Sequence, residues 1–590
     1  SDSHFLRAYI SETETLNELF ADYYSDPLFL QVKQVPDSKK LFSFLVFFEI
    51  RIRVLMNQRF NHGKQRDAYR DKVILRRQVA CSVCDFKDLS VNELIDRIDF
   101  FMQQSSRVAQ AFLFHGYLYS TGKFSSCSPL EGLTIDNLNR SAPHLSLIDK
   151  RTIVMDALDM WKVGNAKVQR EGNKIYVTGN DKDIIAPYIE IQRFENMRHN
   201  IMWTNKSSGS TDTSEQVKLL APEEFLDDGE RLSYAEYLEY FASEGLDYRV
   251  NNVDLVKWIR AYAVVRHYNK KFIAAQPFPE NYTISKWLMV STQQEWMDKF
   301  TSHGIDLESA DMLFEKLTFK RSSIDWMDAP FIIVDPYVIT VPSCASAIQD
   351  ALALISLASN NDMSIAFKGY AYEKRVLTDL RNNQVDALSL AVNEKGEMYQ
   401  CDVAFVLGRD LFLCECKHVS QPLTPQKRFS FYNLKIPADV DQINRVCDYY
   451  EEHLDAVAKE LNSRFGERYP LSWRPRAVYR LLIYSCKLAR KLDVSGVIVT
   501  DYAIFNALIE RKLPALLRGG EPVRLFMPPS AQGLLVGKLT TNKLMTAISQ
   551  PWQITIPQTF MEVKDEIVPI NSFDLCYRRP VRKMDHFHSI

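Results

Sequence analysis

Apolar positions recur at helical spacing through most of residues 1 to 205, as in DKRTIVMDALDMWKV, which predicts long amphipathic helices. One stretch there, NAKVQREGNKIYVTGND, alternates apolar and polar residues around Gly-Asn and predicts a strand hairpin. The pattern lapses at 205 to 216, NKSSGSTDTSEQ, a run without an apolar anchor that predicts a linker or exposed loop. Helical spacing resumes from about 217 to 340. In DLVKWIRAYAVVRHYNKK, Asp254 is placed to cap a helix whose buried face carries Leu255, Ile259 and Tyr262. Near Ala329 the pattern shifts to APFIIVDPYVITVPS, β-branched, aromatic and broken by Pro336 and Pro342, as short strands with turns are. The elements then read helix (FKGYAYEKRVLTDLRN), three strands (QVDALSLAV, MYQCDVAFVLG, DLFLCECK), helix (DVDQINRVCDYYEEHLDAVAKEL) and strand (AVYRLLIYS). A last helix, DYAIFNALIERKL, precedes a shorter strand-rich tail.

A chain of 590 residues exceeds what one core sustains and suggests about three or four domains. With 46% hydrophobic, 25% charged and 12% aromatic residues, it has the composition of an ordinary globular protein. A net charge of -2 gives the molecule no bulk pull toward nucleic acid or anionic lipid, so any such affinity has to be local. The ten cysteines follow no disulfide-like spacing, which fits a reducing compartment. The longest early apolar run, LFSFLVFF, stops at Glu49 and Arg51, far short of the roughly 20 residues a membrane span needs. The opening SDSHFLRAYISETETL has neither the basic start nor the apolar core of a signal peptide, so a cytoplasmic protein without a membrane partner is expected.

The chemistry concentrates in QCDVAFVLGRDLFLCECK, residues 400 to 417. Alternation along a strand puts Glu415 and Lys417 on one face with Leu413, and Cys414 and Cys416 on the other. The tight Gly408-Arg409-Asp410 connection brings Asp402 across from them on the neighbouring strand. On the preceding helix, Glu373 lies three, four and seven residues before Val376, Leu377 and Leu380 and so rides the inward face. Carboxylates gathered around one point repel one another unless a cation or a proton relieves them, and their hard oxygens suit Mg²⁺ or Mn²⁺. The plainer alternative is an edge-strand pair of Glu415 with Lys417 and a turn-proximal Asp402.

A Glu373 helix followed by Asp402 and then Glu415-Cys416-Lys417 on a hairpin resembles the PD-(D/E)xK nuclease superfamily, whose restriction-endonuclease-like core has the order αβββαβ, over roughly residues 365 to 515. Cys401 stands where the motif often has Pro. The resemblance implies that Asp402, Glu415 and the Cys416 carbonyl hold Mg²⁺ or Mn²⁺, that Lys417 orients or helps deprotonate the attacking water, and that Glu373 assists through the metal or that water. Some exonuclease-like members carry Gln-x-x-x-Tyr on a helix near the metal. Here Gln442 is followed at the fourth position by Val446, so Gln442 is the last of the candidates.

Two basic stretches offer phosphate contacts: Arg51 to Arg77, with nine bases against two acids, and Arg464 to Lys491, with eight against Glu467. Ordinary solvated helix faces look the same. The acid-rich segment 223 to 247, nine acids against Arg231, reads as a solvated helical face. Cys81 and Cys84 could begin a zinc site with His115 or Cys127, but buried thiols fit the spacing better.

The expected architecture is multidomain α/β: a helical domain at 1–205, a helical middle region at 217–340, the nuclease-like αβββαβ domain at 341–515 and a strand-rich extension at 516–590. By resemblance the chain is a Mg²⁺- or Mn²⁺-dependent endonuclease acting on DNA ahead of RNA, a regulated restriction or antiviral defence effector whose helical half meets a partner protein or a second copy. The alternative is a catalytically inert nuclease-like fold that binds nucleic acid or serves as a scaffold.

Overall fold

The computed structural model describes residues 2–60, 128–207, 220, 224–240, 249–320, 323, 326–360, 369–511, 515–518, 521–524 and 529–582. The chain is mixed α/β, with its helices concentrated in the N-terminal half and its largest sheet late in the sequence.

That sheet is built as the alternating patterns predict. Helix α1 (Gly369–Asn382) buries Tyr372, Val376 and Leu380 at a spacing of four. Strands β1 (Asp386–Glu394) and β2 (Glu397–Leu407) form a long hairpin turned by Lys395 and Gly396, both at positive φ, the backbone such a two-residue turn demands. Gly408, at φ 66°, turns β2 into β3 (Asp410–Lys417). The chain crosses over through helix α2 (Ile436–Glu452) and returns as β4 (Val478–Tyr484), parallel to β3. Strands β5 (Leu492–Val494) and β6 (Val497–Asp501) complete the order β5-β6-β4-β3-β2-β1. The order helix, three strands, helix, strand predicted for this region is therefore present.

Helix α1 and helix α3 (Tyr502–Ile509) cover one face of the sheet over Phe405, Phe412 and Cys414, and α2 covers the other over Leu411, Leu413 and Leu482. Covered on both faces, β3 is buried along nearly its whole length. The predicted second helix is in fact two, broken at His453 between α2 and Leu454–Phe465. The His453 backbone leaves helical geometry there, at φ -118° and ψ 45°.

The helical half shares one hydrophobic core, which runs from Leu16 to Leu357 and also takes in Ile570, Leu575 and Tyr577. Of the segment expected as a linker or exposed loop at 205–216, residues 205–207 end helix Asp181–Ser207 and the rest lie outside the described residues. The LFSFLVFF run lies inside helix Asp37–Phe60 with all its large apolar side chains buried. No helix among the described residues is long and apolar enough to cross a membrane. The predicted hairpin forms from Lys167–Glu171 and Lys174–Thr178, and its second strand pairs in parallel with Asp574–Arg582 near the other end of the sequence. The tail carries helices beside its strands Met561–Pro569 and Asp574–Arg582: Thr541–Ser549 and Trp552–Thr559 are helical, and Leu544, Ile548 and Trp552 pack into the core beneath α1 and α3.

Helix Leu255–Ala275 buries Leu255, Ile259 and Tyr262 as predicted, but Asp254 at its start pairs with Arg249 and Lys257 instead of capping a helix N–H. The acid-rich segment before it is also not simply a solvated face. Arg260 is completely buried and pairs with the equally buried Glu230, while Arg266 is held in a fork by Asp227, 2.7 Å on each prong, and by Asp350. Buried guanidinium groups on the one helix require carboxylates on its neighbour, so the acids turn inward.

Helix Asp181–Ser207 fastens the helical half to the sheet. Ile189 enters the core beneath α1, and Arg193 clasps Asp501 through two hydrogen bonds of 2.6 and 2.9 Å, with side chains only 5% and 0% exposed. Burial favours the neutral acid, yet the Arg193 charge outweighs it and holds the Asp501 carboxyl below its ordinary range. Replacing Arg193 with Met strands that carboxylate. It is expected to cost about 3–5 kcal/mol, read as a lower urea midpoint by tryptophan fluorescence. Arg193→Lys, which keeps the charge without the fork, is expected to recover only part of the loss.

Candidate active site

The position of Asp402 follows from a slip in strand register. Leu388 lies opposite Ala404, whereas Leu390 lies opposite Cys401, so two steps along β1 answer three along β2. The surplus residue falls at Asp402–Val403 and makes a β-bulge, a device that re-aims a side chain without ending the strand. Cys401 keeps its place in the core beside α2, and Asp402 is turned toward the end of β3. There its Oδ2 accepts the Cys416 N–H at 2.9 Å, and Oδ1 accepts the Gln400 amide at 3.3 Å.

Along β3, Leu411 and Leu413 face α2 while Phe412, Cys414 and Cys416 face α1, so Glu415 and Lys417 emerge on the α2 side as strand alternation predicts. The buried Ile443, Val446 and Cys447 on α2 anchor that helix and leave Gln442 over the charged pair. Lys417 Nζ donates to Glu415 Oε1 at 2.7 Å and to Gln442 Oε1 at 2.9 Å, and Gln442 Nε2 donates to the same Glu415 oxygen at 2.9 Å. The three side chains form a closed triangle. One turn earlier on α2, Asp439 accepts the Tyr484 hydroxyl at 2.6 Å and pairs with Lys435.

All six residues singled out from the sequence, Glu373, Asp402, Glu415, Cys416, Lys417 and Gln442, line one cavity of about 340 Å³. Gln400 and His418 also line it and were not anticipated. Gln400 had a readable signal, since it lies two residues before Asp402 on the same strand. His418 had none beyond its place after Lys417.

The cavity is short of positive charge. Asp402 and Glu415 are only 7% and 4% exposed. Burial, then the nearby Asp402 charge, pushes the Glu415 carboxyl up to about 7 against the pull of Lys417. Burial pushes Asp402 up to about 6, with Glu373 adding to the rise and the Cys416 N–H opposing it. Glu373, half-buried on α1, is raised by burial and by Glu415. For Lys417 burial favours the neutral amine, but its bond to Glu415 and the surrounding acids win and raise it. Three carboxylates thus share one ammonium. Their oxygens have the chemistry that Mg²⁺ or Mn²⁺ prefers, with water completing the shell. Among the described residues, however, no three acids, histidines or cysteines are spaced to share one ion.

The basic stretch from Arg464 to Lys491 is largely spent within the protein. Arg476 forks Asp410, Arg468 pairs with Asp386, Arg480 with Asp448 and Glu451, and Arg490 with Asp183, while Lys487 is buried. Of the other basic stretch, Arg53 is buried against Glu49, and residues 61 to 77 lie outside the described residues. Cys81, Cys84, His115 and Cys127 lie outside them as well. Cys401, Cys414 and Cys416 are free and buried, and burial pushes their thiols up, so they act as small apolar residues.

Acids whose folded pKa exceeds the unfolded value of about 4 cost stability as pH rises through the interval between the two. For Asp402 that interval ends at about 6. In EDTA, Asp402→Asn is therefore expected to stabilise the protein by about 1–3 kcal/mol at pH 8 and by clearly less at pH 5, measured as paired melting curves.

No family model, curated protein or solved structure matches the chain.

Proposed function

We propose that the chain is a metal-dependent nuclease, with a restriction-endonuclease-like core of the PD-(D/E)xK type, that hydrolyses phosphodiester bonds in DNA ahead of RNA. The observation that carries this reading is the convergence of Asp402, Glu415 and Lys417 on one cavity at the end of β3, in a core of order αβββαβ. Asp402 and Glu415, with the Cys416 carbonyl, would hold Mg²⁺ or Mn²⁺. The bound dication would supply an acidified water and charge neutralisation at phosphorus.

The protein's own groups then have defined tasks. Lys417 sets an ammonium beside the oxygens that gain negative charge in the transition state, and it can orient the attacking water. Gln442 holds Lys417 and Glu415 at fixed separation through both ends of its amide. Glu373, with its raised pKa, is suited to holding or accepting a proton from that water. A regulated restriction or antiviral role follows from the resemblance, with the helical half as the place where a trigger, partner protein or second copy acts.

A catalytically inert fold that binds nucleic acid is the second reading. It is favoured by one observation: Lys417 and Gln442 both bond to one oxygen of Glu415, Oε1, which takes half of that carboxylate's capacity for an ion.

Supercoiled plasmid with Mg²⁺ or Mn²⁺ separates the two. Cutting is expected to fall on the order of 10²–10⁴-fold in Lys417→Ala and to vanish in Asp402→Ala. Mn²⁺ binding by calorimetry is expected to survive Lys417→Ala and to fail in Asp402→Ala. Cutting that persists in both variants places the chemistry elsewhere.

A further inference from the structure

The helical half holds a second concentration of charge, and there the surplus is positive. Helices Leu255–Ala275 and Gln293–Ser302 meet around the ring of Tyr268. Lys271 Nζ lies 5.8 Å from the centre of that ring and Lys299 Nζ 5.2 Å, the second reaching across from the neighbouring helix. Lys299 also sits 4.4 Å over Trp296 and donates to the Ser291 hydroxyl at 3.2 Å. The His267 and His303 rings stand edge-on to Tyr268 at 5.4 and 5.8 Å and lie 6.2 Å from each other.

The two lysines are thus in contact with rings and a hydroxyl, and Glu295 attracts Lys299 without forming an ion pair that holds it. The acids nearest the group have other work. Asp227 is forked by Arg266 and takes Lys270 at 2.9 Å, and Glu295 accepts the Thr292 N–H at 2.7 Å to cap its helix. Aromatic faces repay only a modest part of bringing like charges together, about 0.5–2 kcal/mol for each contact. The remaining repulsion shows at His267, which burial, then Lys271 and His303, pulls down; Lys299 is lowered by burial against the pull of Glu295. An anion with several oxygens would relieve all of these groups at once.

We propose that the Lys271–Lys299–His267–His303 cluster grips the phosphate backbone of a nucleic acid strand, an anchoring site separate from the catalytic cavity. Trp296 is fully buried and only backs Lys299, so it is the partly exposed His267 and His303 rings beside the cations that suit the cluster to a polynucleotide, whose sugars and bases present flat and apolar surface next to each phosphate. The proposal takes from the nuclease reading only that the ligand is a nucleic acid. It also answers where the local positive charge lies, since the bases at 464 to 491 are mostly neutralised.

The test is fluorescence anisotropy of a short labelled duplex and of its single strand, in EDTA, across a salt series. The double variant Lys271→Glu, Lys299→Met is expected to bind about ten- to a hundredfold more weakly at low salt, with the slope of log affinity against log salt reduced by about 1–2. Lys271→Glu alone, at an exposed position, is expected to show part of the effect and guards against misfolding of the double variant. Lys564→Glu, on strand Met561–Pro569, controls for the net charge change of Lys271→Glu. Unchanged affinity and slope, a loss matched by Lys564→Glu, or no binding by the unmodified protein would each overturn the proposal. Displacement of the strand by micromolar ATP would overturn it in favour of a nucleotide pocket. Because no metal is present, failure of the nuclease reading appears separately, as absent plasmid cutting with strand binding intact.

Discussion

A charge taken out of water has to be answered by another charge from the same chain, and that requirement organises the interior of this protein. Arg53 answers Glu49 in the first long helix, Arg260 answers Glu230, Arg266 answers Asp227 and Asp350, and Arg193 answers Asp501 across the join between the helical half and the sheet. Each of these sites is matched or nearly so, and each fixes how two elements sit. The cavity at the end of β3 departs from the rule. Three carboxylates gather there around one ammonium, and two of them are forced toward their neutral forms.

Much of the sheet was readable because its patterns are local. Period-two alternation in DLFLCECK fixes which face carries Glu415 and Lys417, and the spacing of Tyr372, Val376 and Leu380 fixes the inward face of α1. What escaped the sequence depends on pairings that no single segment encodes. The bulge that aims Asp402 exists only once β2 is paired with β1, and no residue type announces it. The basic run after Arg464 resembles a phosphate-binding face until Arg476 is seen to clasp Asp410, 66 positions earlier. The acids before helix Leu255–Ala275 read as solvated for the same reason. Their guanidinium partners lie 30 or more residues on, among apolar neighbours that hide the pairing.

The boundary at 205–216 is a genuine change of composition, but the packing does not respect it. Helix Asp181–Ser207 lends Ile189 to the core beneath α1, the tail helices lend Leu544 and Trp552, and the helical half keeps one core from residues on both sides of that boundary. Gln442 illustrates the converse. Its motif was incomplete, with Val446 in place of the aromatic, yet the helix face set by Ile443 and Cys447 brings it over Glu415 and Lys417.

The small sheet in which Lys174–Thr178 lies beside Asp574–Arg582 has a consequence for biogenesis. A ribosome adding about 5–20 residues per second delivers the second strand only after a delay on the order of a minute or less. During that interval the earlier hairpin displays an unpaired edge with Ile175 and Val177 beside it, both fully covered in the finished fold. The nascent chain therefore passes through a stage in which premature association with a neighbouring polypeptide competes with waiting for its own distant segment.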